Sequence, residues 1–127
     1  MNPQIIKTDT APQAIGPYSQ AVRVGPFLWC SGQIALLPNG EHLFEKGIEE
    51  QTEQVLKNIE NILSAAGYQM QHIVKTTIFL KEMSDFQKVN EIYGRYFPVN
   101  PPARSTVAVK ELPRGAKVEI EVIAYKG

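Results

Sequence analysis

One amphipathic segment, residues 48–66, constrains the fold of this chain more than any other feature. Its apolar residues are Ile48, Val55, Leu56, Ile59, Ile62, Leu63 and Ala66. This spacing places them on one stripe of a helix. Gly67 follows, where a left-handed C-terminal cap is expected. A helix with one apolar stripe must pack against a second layer of structure.

The segments around this helix predict that second layer to be a β-sheet. Residues 15–36 are typical of a hairpin, and residues 73–81 of a single strand. Ser84 and Gln87 match a capping box in front of a second helix, which Pro98 ends. Residues 103–109 and 117–125 then predict two more strands. The order predicts a single α+β domain over residues 1–127, with a mixed sheet and both helices on one face.

Alternation along the predicted strands indicates a sheet with apolar residues on both faces. The residues expected to share a face within each strand are Leu28, Cys30 and Ile34; Val74, Ile78 and Leu80; and Val118, Ile120 and Val122. Phe27, Trp29 and Phe79 fall on the opposite faces. Two helices cover only one side of the sheet. The apolar area on the other side predicts that the protein self-associates. The alternative is a solvated face with scattered apolar residues.

The overall charge argues against binding to nucleic acid. The 127 residues include 13 basic and 13 acidic side chains, with a formal net charge of zero and no basic stripe. The sequence contains no run of about 20 apolar residues, the length that a membrane span needs. The N-terminal residues lack the charged and apolar regions of a signal peptide. These features predict a cytoplasmic protein.

Several common catalytic patterns are absent from the sequence. There is no glycine-rich phosphate loop and no paired-cysteine motif, and His42 and His72 lie far apart. No metal site is therefore predicted. Cys30, the single cysteine, is interpreted as a buried structural thiol, since it lies in an apolar strand without an evident basic partner.

The remaining polar residues with chemical potential lie in the last two predicted strands. Alternation places Arg104 with Thr106 and Glu119 with Glu121, and we expect all four on the face without helices. An arginine there could bind a carboxylate through two parallel hydrogen bonds, and a glutamate could move a proton. In the alternative, Arg104 simply pairs with a glutamate of the neighbouring strand. Spacing alone leaves both open.

Five collinear segments resemble one known family. They are AIGPYSQAV, SGQI, VNEIYGRYF, PPARSTV and LPRGAKVEIEVIAY. Together they resemble the RidA/YjgF family of reactive-intermediate (enamine/imine) deaminases. The resemblance implies a chorismate-mutase-like fold and a homotrimer with a central β-barrel and active sites between subunits. It also implies cofactor-free hydrolysis of 2-imino acids, such as 2-iminobutanoate and 2-iminopropanoate, and of their enamine tautomers, such as 2-aminoacrylate, to 2-keto acids and ammonia.

The resemblance also implies roles for individual residues. Arg104 would grip the substrate carboxylate and Glu119 would position or activate water. The residues implied to line the cleft are Tyr18, Ser31 and Gly32 of a turn in the second strand, Asn90 and Thr106. The family often has cysteine where this chain has Thr106, so a role that needs a thiol there is not expected. A ligand-sensing protein without turnover, or an RNA-binding nuclease, are the competing readings.

Overall fold

The computed structural model describes residues 2–127. It contains strands β1 (Gln4–Ile6), β2 (Ala21–Val24), β3 (Phe27–Gln33), β4 (Ile73–Leu80), β5 (Ala103–Ala108) and β6 (Val118–Tyr125), with helices α1 (Ile48–Ala65) and α2 (Phe86–Tyr96). The predicted order of strands and helices is confirmed, with β1 as an additional edge strand. Gly67 adopts the expected left-handed conformation after α1, with φ +82°.

The six strands form one mixed sheet in the order β1-β2-β3-β6-β4-β5. Only β4 and β5 pair in parallel, and the other neighbours are antiparallel. The connection through α2 explains this exception, because a strand that follows a crossover helix returns in the same direction. Consequently β4 separates β5 from β6, and the two strands that carry Arg104 and Glu119 are not neighbours.

Both helices pack on one face of the sheet, as predicted. The apolar stripe of α1 is fully buried from Val55 to Leu63 against β3 and β6, and α2 packs beside α1. In β6 the alternation follows the prediction, with Val118, Ile120 and Val122 buried under the helices. The buried apolar residues form one continuous cluster.

Two β-bulges change the predicted faces. A bulge between Ile73 and Lys75 buries Ile73 and leaves Val74 45% exposed, so the placement of Val74 with Ile78 was wrong. A second bulge, between Cys30 and Gln33, buries Gln33 and moves Ile34 away from the core face. One extra residue in a strand reverses the alternation beyond it, which a period of two does not reveal.

The start of α2 also differs from the prediction. The helix begins at Phe86 after a 3₁₀ turn over Met83–Asp85, and Asp85 occupies the cap position without a side-chain cap hydrogen bond. Ser84 lies inside that turn, so the predicted capping box does not form.

The face without helices carries an exposed aromatic cluster. The side chains of Phe27, Trp29 and Tyr125 are 39%, 50% and 44% exposed. Phe27 contacts Tyr125 edge-on with 5.1 Å between ring centroids. The predicted apolar area on this face is therefore present.

Candidate functional site

The position of Arg104 corrects the sequence prediction. Arg104 lies beside Thr76 of β4, and Thr106 lies beside Ile78. Thr76 and Ile78 are both completely buried under the helices. Arg104 and Thr106 therefore share a face as expected, but it is the face of the helices. Arg104 and a glutamate could share a cleft on one face only if β5 and β6 were neighbours, and β4 lies between them.

The Arg104 guanidinium is held by three residues of α2. Its Nη1 donates a hydrogen bond of 2.7 Å to Oδ1 of Asn90. Its Cζ lies 5.3 Å from the ring centroid of Phe86 and 5.0 Å from that of Tyr93. Phe86, Asn90 and Tyr93 follow one another at helical spacing, which puts them on one face of α2. Helical spacing could have revealed this arrangement, although only Asn90 among the three was predicted to belong to the site.

No carboxylate of residues 2–127 lies within ion-pair distance of Arg104. Among residues 2–127 the only basic side chain within 4.0 Å of a carboxylate oxygen is His42, which contacts Glu45. The alternative in which Arg104 pairs with Glu119 or Glu121 is therefore wrong within the chain. A fixed guanidinium with unused donors is well suited to bind an external carboxylate.

A small groove opens beside this arginine. The Arg104 groove has a volume of about 420 Å³ and is lined by Asn90, Tyr93, Gly94, Phe97, Pro102 and Arg104. The Tyr93 hydroxyl lies 2.8 Å from Oγ1 of the buried Thr76. Burial raises the pKa of Tyr93, against smaller lowering effects from Thr76 and from the charge of Arg104. The Tyr93 hydroxyl therefore stays protonated, and its neutral ring packs against the Arg104 guanidinium.

Thr106 has an unusual hydroxyl. Its Oγ1 is buried and lacks a hydrogen-bond partner within residues 2–127. An unsatisfied buried hydroxyl costs roughly 1–3 kcal/mol, and Thr106 does not line the Arg104 groove.

Glu119 belongs to a second, larger groove on the face without helices. The Glu119 groove has a volume of about 740 Å³, and its walls include Tyr18, Ser31, Gly32, Ile34, Arg114 and Glu119. The Glu119 side chain is half-buried. Burial, with a smaller effect from the charge of Glu121, raises the pKa of Glu119. A carboxyl with a raised pKa in a groove is a candidate for acid–base chemistry.

The backbone of β3 makes room for this carboxyl. Ser31 and Gly32 lie in the bulge of β3 rather than in the predicted turn. A Cβ on Gly32 would overlap a carboxylate oxygen of Glu119. Ser31 is fixed by a hydrogen bond of 2.6 Å from its Oγ to the Ser19 carbonyl. Tyr18 remains 53% exposed on the groove wall.

Gly32→Ala is expected to displace the flexible end of Glu119 by an ångström or more, with little change in stability. It should therefore lower kcat about 10²-fold for a reaction that uses this carboxyl. Steady-state kinetics and thermal unfolding measure both effects. Gly47→Ala is the matched control, since its Cβ would meet only a Glu49 oxygen at 3.8 Å. Full activity in Gly32→Ala would contradict the close packing of Glu119 on this glycine.

The structure thus divides the predicted site residues into two sets. Arg104, Asn90 and Thr106 lie toward the helices, whereas Tyr18, Ser31, Gly32 and Glu119 line the opposite face. Within one chain the two sets do not form a single cavity.

Other candidates offer less chemistry. Burial raises the pKa of Cys30 to about 12, so the thiol is protonated at neutral pH, in agreement with the predicted structural role. Within residues 2–127 no three or more His, Cys, Asp or Glu side chains are grouped closely enough to hold a metal ion.

None of the described helices has the length and apolarity required to cross a membrane.

These features define a small α+β protein with an arginine held in one groove and a half-buried carboxyl in a separate groove. Residues 8–126 match the family described as Endoribonuclease L-PSP. The chain belongs to this family, the RidA/YjgF family that its sequence resembles.

Similar proteins agree with this assignment. A mouse protein named 2-iminobutanoate/2-iminopropanoate deaminase is 49% identical over 98% of this chain and 92% of its own length. A crystal structure of a putative endoribonuclease from Thermotoga maritima is 51% identical, with a TM-score of 0.95 and 98% coverage of both chains. The E. coli protein TdcF, solved with bound serine, is 39% identical with a TM-score of 0.93, covering 98% of this chain and 99% of that one.

Proposed function

We propose that this protein is a deaminase that hydrolyses 2-imino acids and their enamine tautomers, such as 2-aminoacrylate, to 2-keto acids and ammonia. The observation that carries the proposal is the Arg104 guanidinium, which is held by Asn90 and aromatic rings and has no carboxylate partner within residues 2–127. Its substrate would be a small carboxylate. The name of the mouse relative supports an imine as the reacting group.

The proposed reaction divides the work between two residues. Arg104 holds the carboxylate and so fixes the position of the adjacent C=N carbon. Glu119 takes a proton from water while the water oxygen attacks that carbon. As the C=N bond becomes single, its nitrogen takes up a proton from solvent, which gives a neutral aminol. The proton on Glu119 then reaches this nitrogen, the C–N bond breaks to release ammonia, and the hydroxyl loses its proton to solvent as the C=O bond forms. Acid–base assistance of this kind accelerates reactions by about 10²–10⁴-fold.

The two residues require a second copy of the chain to meet. We propose a homotrimer in which the Arg104 groove of one protomer faces the Glu119 groove of the next. The exposed apolar face of the sheet, with Phe27, Trp29 and Tyr125, supports burial against another protomer. The proposed location of this trimer is the cytoplasm.

The wild-type protein tests the reaction directly. A serine dehydratase generates 2-aminoacrylate in place, and pyruvate is followed with and without this protein. We expect faster pyruvate formation while dehydratase consumption of serine is unchanged. No acceleration over the uncatalysed hydrolysis would overturn the deaminase proposal.

Subunit mixing tests the shared site. Arg104→Ala and Glu119→Gln protomers are each expected to be nearly inactive alone. A trimer reassembled from equal amounts should regain about one quarter of the wild-type sites, because a wild-type arginine then meets a wild-type glutamate from a neighbour. Light scattering verifies the trimer mass. If mixing restores nothing while each variant remains trimeric, the two residues do not share a site.

A non-catalytic sensor of 2-keto or amino acids is the second candidate. The bound serine named for the E. coli relative favours this possibility for a small amino acid. Calorimetric binding of serine without turnover of 2-aminoacrylate would select the sensor. The endoribonuclease description of the family raises RNA as a third ligand. The zero net charge disfavours it, and binding of labelled RNA at low salt is the corresponding measurement.

A further inference from the structure

Arg114 is a guanidinium that lines the Glu119 groove without a carboxylate partner among residues 2–127. It forms no ion pair within residues 2–127, although Glu119 and Glu121 line the same groove. Its Cζ lies 5.5 Å from the ring centroid of Phe44, and the side chain is exposed. The arginine is therefore placed on an aromatic ring beside the groove instead of against the carboxylates.

The backbone of Arg114 is also unusual. It adopts φ +58° and ψ +20°, and Gly115 follows with φ +80°. Left-handed conformations are disfavoured for residues with a Cβ and are commonly occupied by glycine. Pro113 begins this turn, and the Ala116 amide closes it by donating a hydrogen bond of 3.1 Å to the Pro113 carbonyl. An arginine held in such a position is a candidate for a functional role.

The charges of the groove suggest that role. Glu119 and Glu121 contribute two negative charges when ionised, and Arg114 contributes one positive charge. A 2-imino acid is an anion, so two carboxylates repel it as it approaches. A cation in the same groove reduces this repulsion and raises the local concentration of substrate.

We propose that Arg114 is a further substrate-recognition residue, which attracts the substrate carboxylate into the Glu119 groove and offsets repulsion by Glu119 and Glu121. This inference rests on the proposed function of that groove. Arg114 acts on the approach and retention of the anion, while Arg104 holds it during the reaction.

Arg114→Gly is expected to lower kcat/KM about tenfold at an ionic strength of about 10 mM, where the Debye length is about 30 Å. At about 1 M salt the Debye length is about 3 Å, and the loss should shrink to less than about twofold. kcat should not change, because Arg114 does not take part in the chemical step. Arg114→Lys should restore most of kcat/KM, since it keeps the charge.

Two controls separate this effect from changes in folding or net charge. Glycine accepts φ +58° without strain, so Arg114→Gly should unfold at the wild-type temperature or above. Lys57→Ala removes one positive charge from an exposed position on α1 and should leave kcat/KM unchanged at both salt concentrations. A matching loss in Lys57→Ala would overturn a specific role for Arg114.

Binding of 2-oxobutanoate, measured by calorimetry, distinguishes this inference from the proposed function. We expect its Kd to be about tenfold weaker in Arg114→Gly at low salt and nearly unchanged at high salt. That result without any turnover by the wild type would support the role of Arg114 and overturn only the deaminase proposal. Equal Kd values for wild type and variant, or a loss that is independent of salt, would overturn the role of Arg114.

Discussion

Arg104→Ala should lower kcat/KM for 2-imino acids about 10²–10⁴-fold, because it removes two charge-assisted hydrogen bonds worth about 1.5–3 kcal/mol each. The fold should be little affected, since Arg104 is exposed and its contacts with Asn90 and two rings are local. Arg104→Lys should recover only part of the activity, because an ammonium group lacks the planar fork. Initial rates at several substrate concentrations give the values.

Arg95→Ala is the matched control for this prediction. Arg95 lies on the same helix as Asn90 but is exposed and outside the Arg104 groove. Its replacement should leave kcat/KM within about twofold, as expected for a surface change away from such features. Wild-type activity in Arg104→Ala would leave catalysis standing but eliminate the carboxylate grip.

Glu119→Gln should lower kcat about 10²–10⁴-fold, since an amide cannot accept a proton from water. In the wild type, kcat should fall at acidic pH as Glu119 becomes protonated. This fall should be centred above the usual glutamate pKa, because burial and Glu121 raise the pKa of Glu119. The pH profile of residual activity in Glu119→Gln should lack this limb. Persistence of the same limb would assign it to another group.

The same raised pKa predicts an effect on stability. The folded state binds a proton at Glu119 more tightly than the unfolded state, so stability falls as pH rises from the unfolded to the folded pKa. Above that window the ionised carboxyl destabilises the fold. Glu119→Gln should therefore unfold at the same or a higher temperature than the wild type at neutral pH, and this gain should disappear below the unfolded pKa. A lower unfolding temperature at neutral pH would contradict this account of Glu119.

Particular elements show which parts of the fold were predictable. The stripe of α1 and the alternation of β6 specified both elements nearly to the residue, because a partly buried element repeats its apolar residues at its own period. The bulges at Cys30–Gln33 and Ile73–Lys75 were missed, since one inserted residue leaves no periodic signal.

The candidate site was only partly predictable for a related reason. Resemblance identified Arg104, Glu119 and Asn90, and helical spacing in α2 is compatible with the arrangement of Phe86 and Tyr93. Strand alternation predicted Arg104 on the face without helices, whereas the structure places it on the face of the helices. Arg114 was part of a recognised segment, but its conformation and its location in the Glu119 groove required coordinates.

The sequence by itself therefore determined both helices, the strands other than β1, the neutral charge and the membership in the family, because these depend on local spacing and residue identity. Strand order was decided only by tertiary structure. Placing β4 between β5 and β6 turns Arg104 toward α2 and leaves Glu119 on the opposite face. Pairing between distant strands depends on long-range contacts, which the pattern within a single strand does not record. The resulting strand order separates the two halves of the proposed site within one chain.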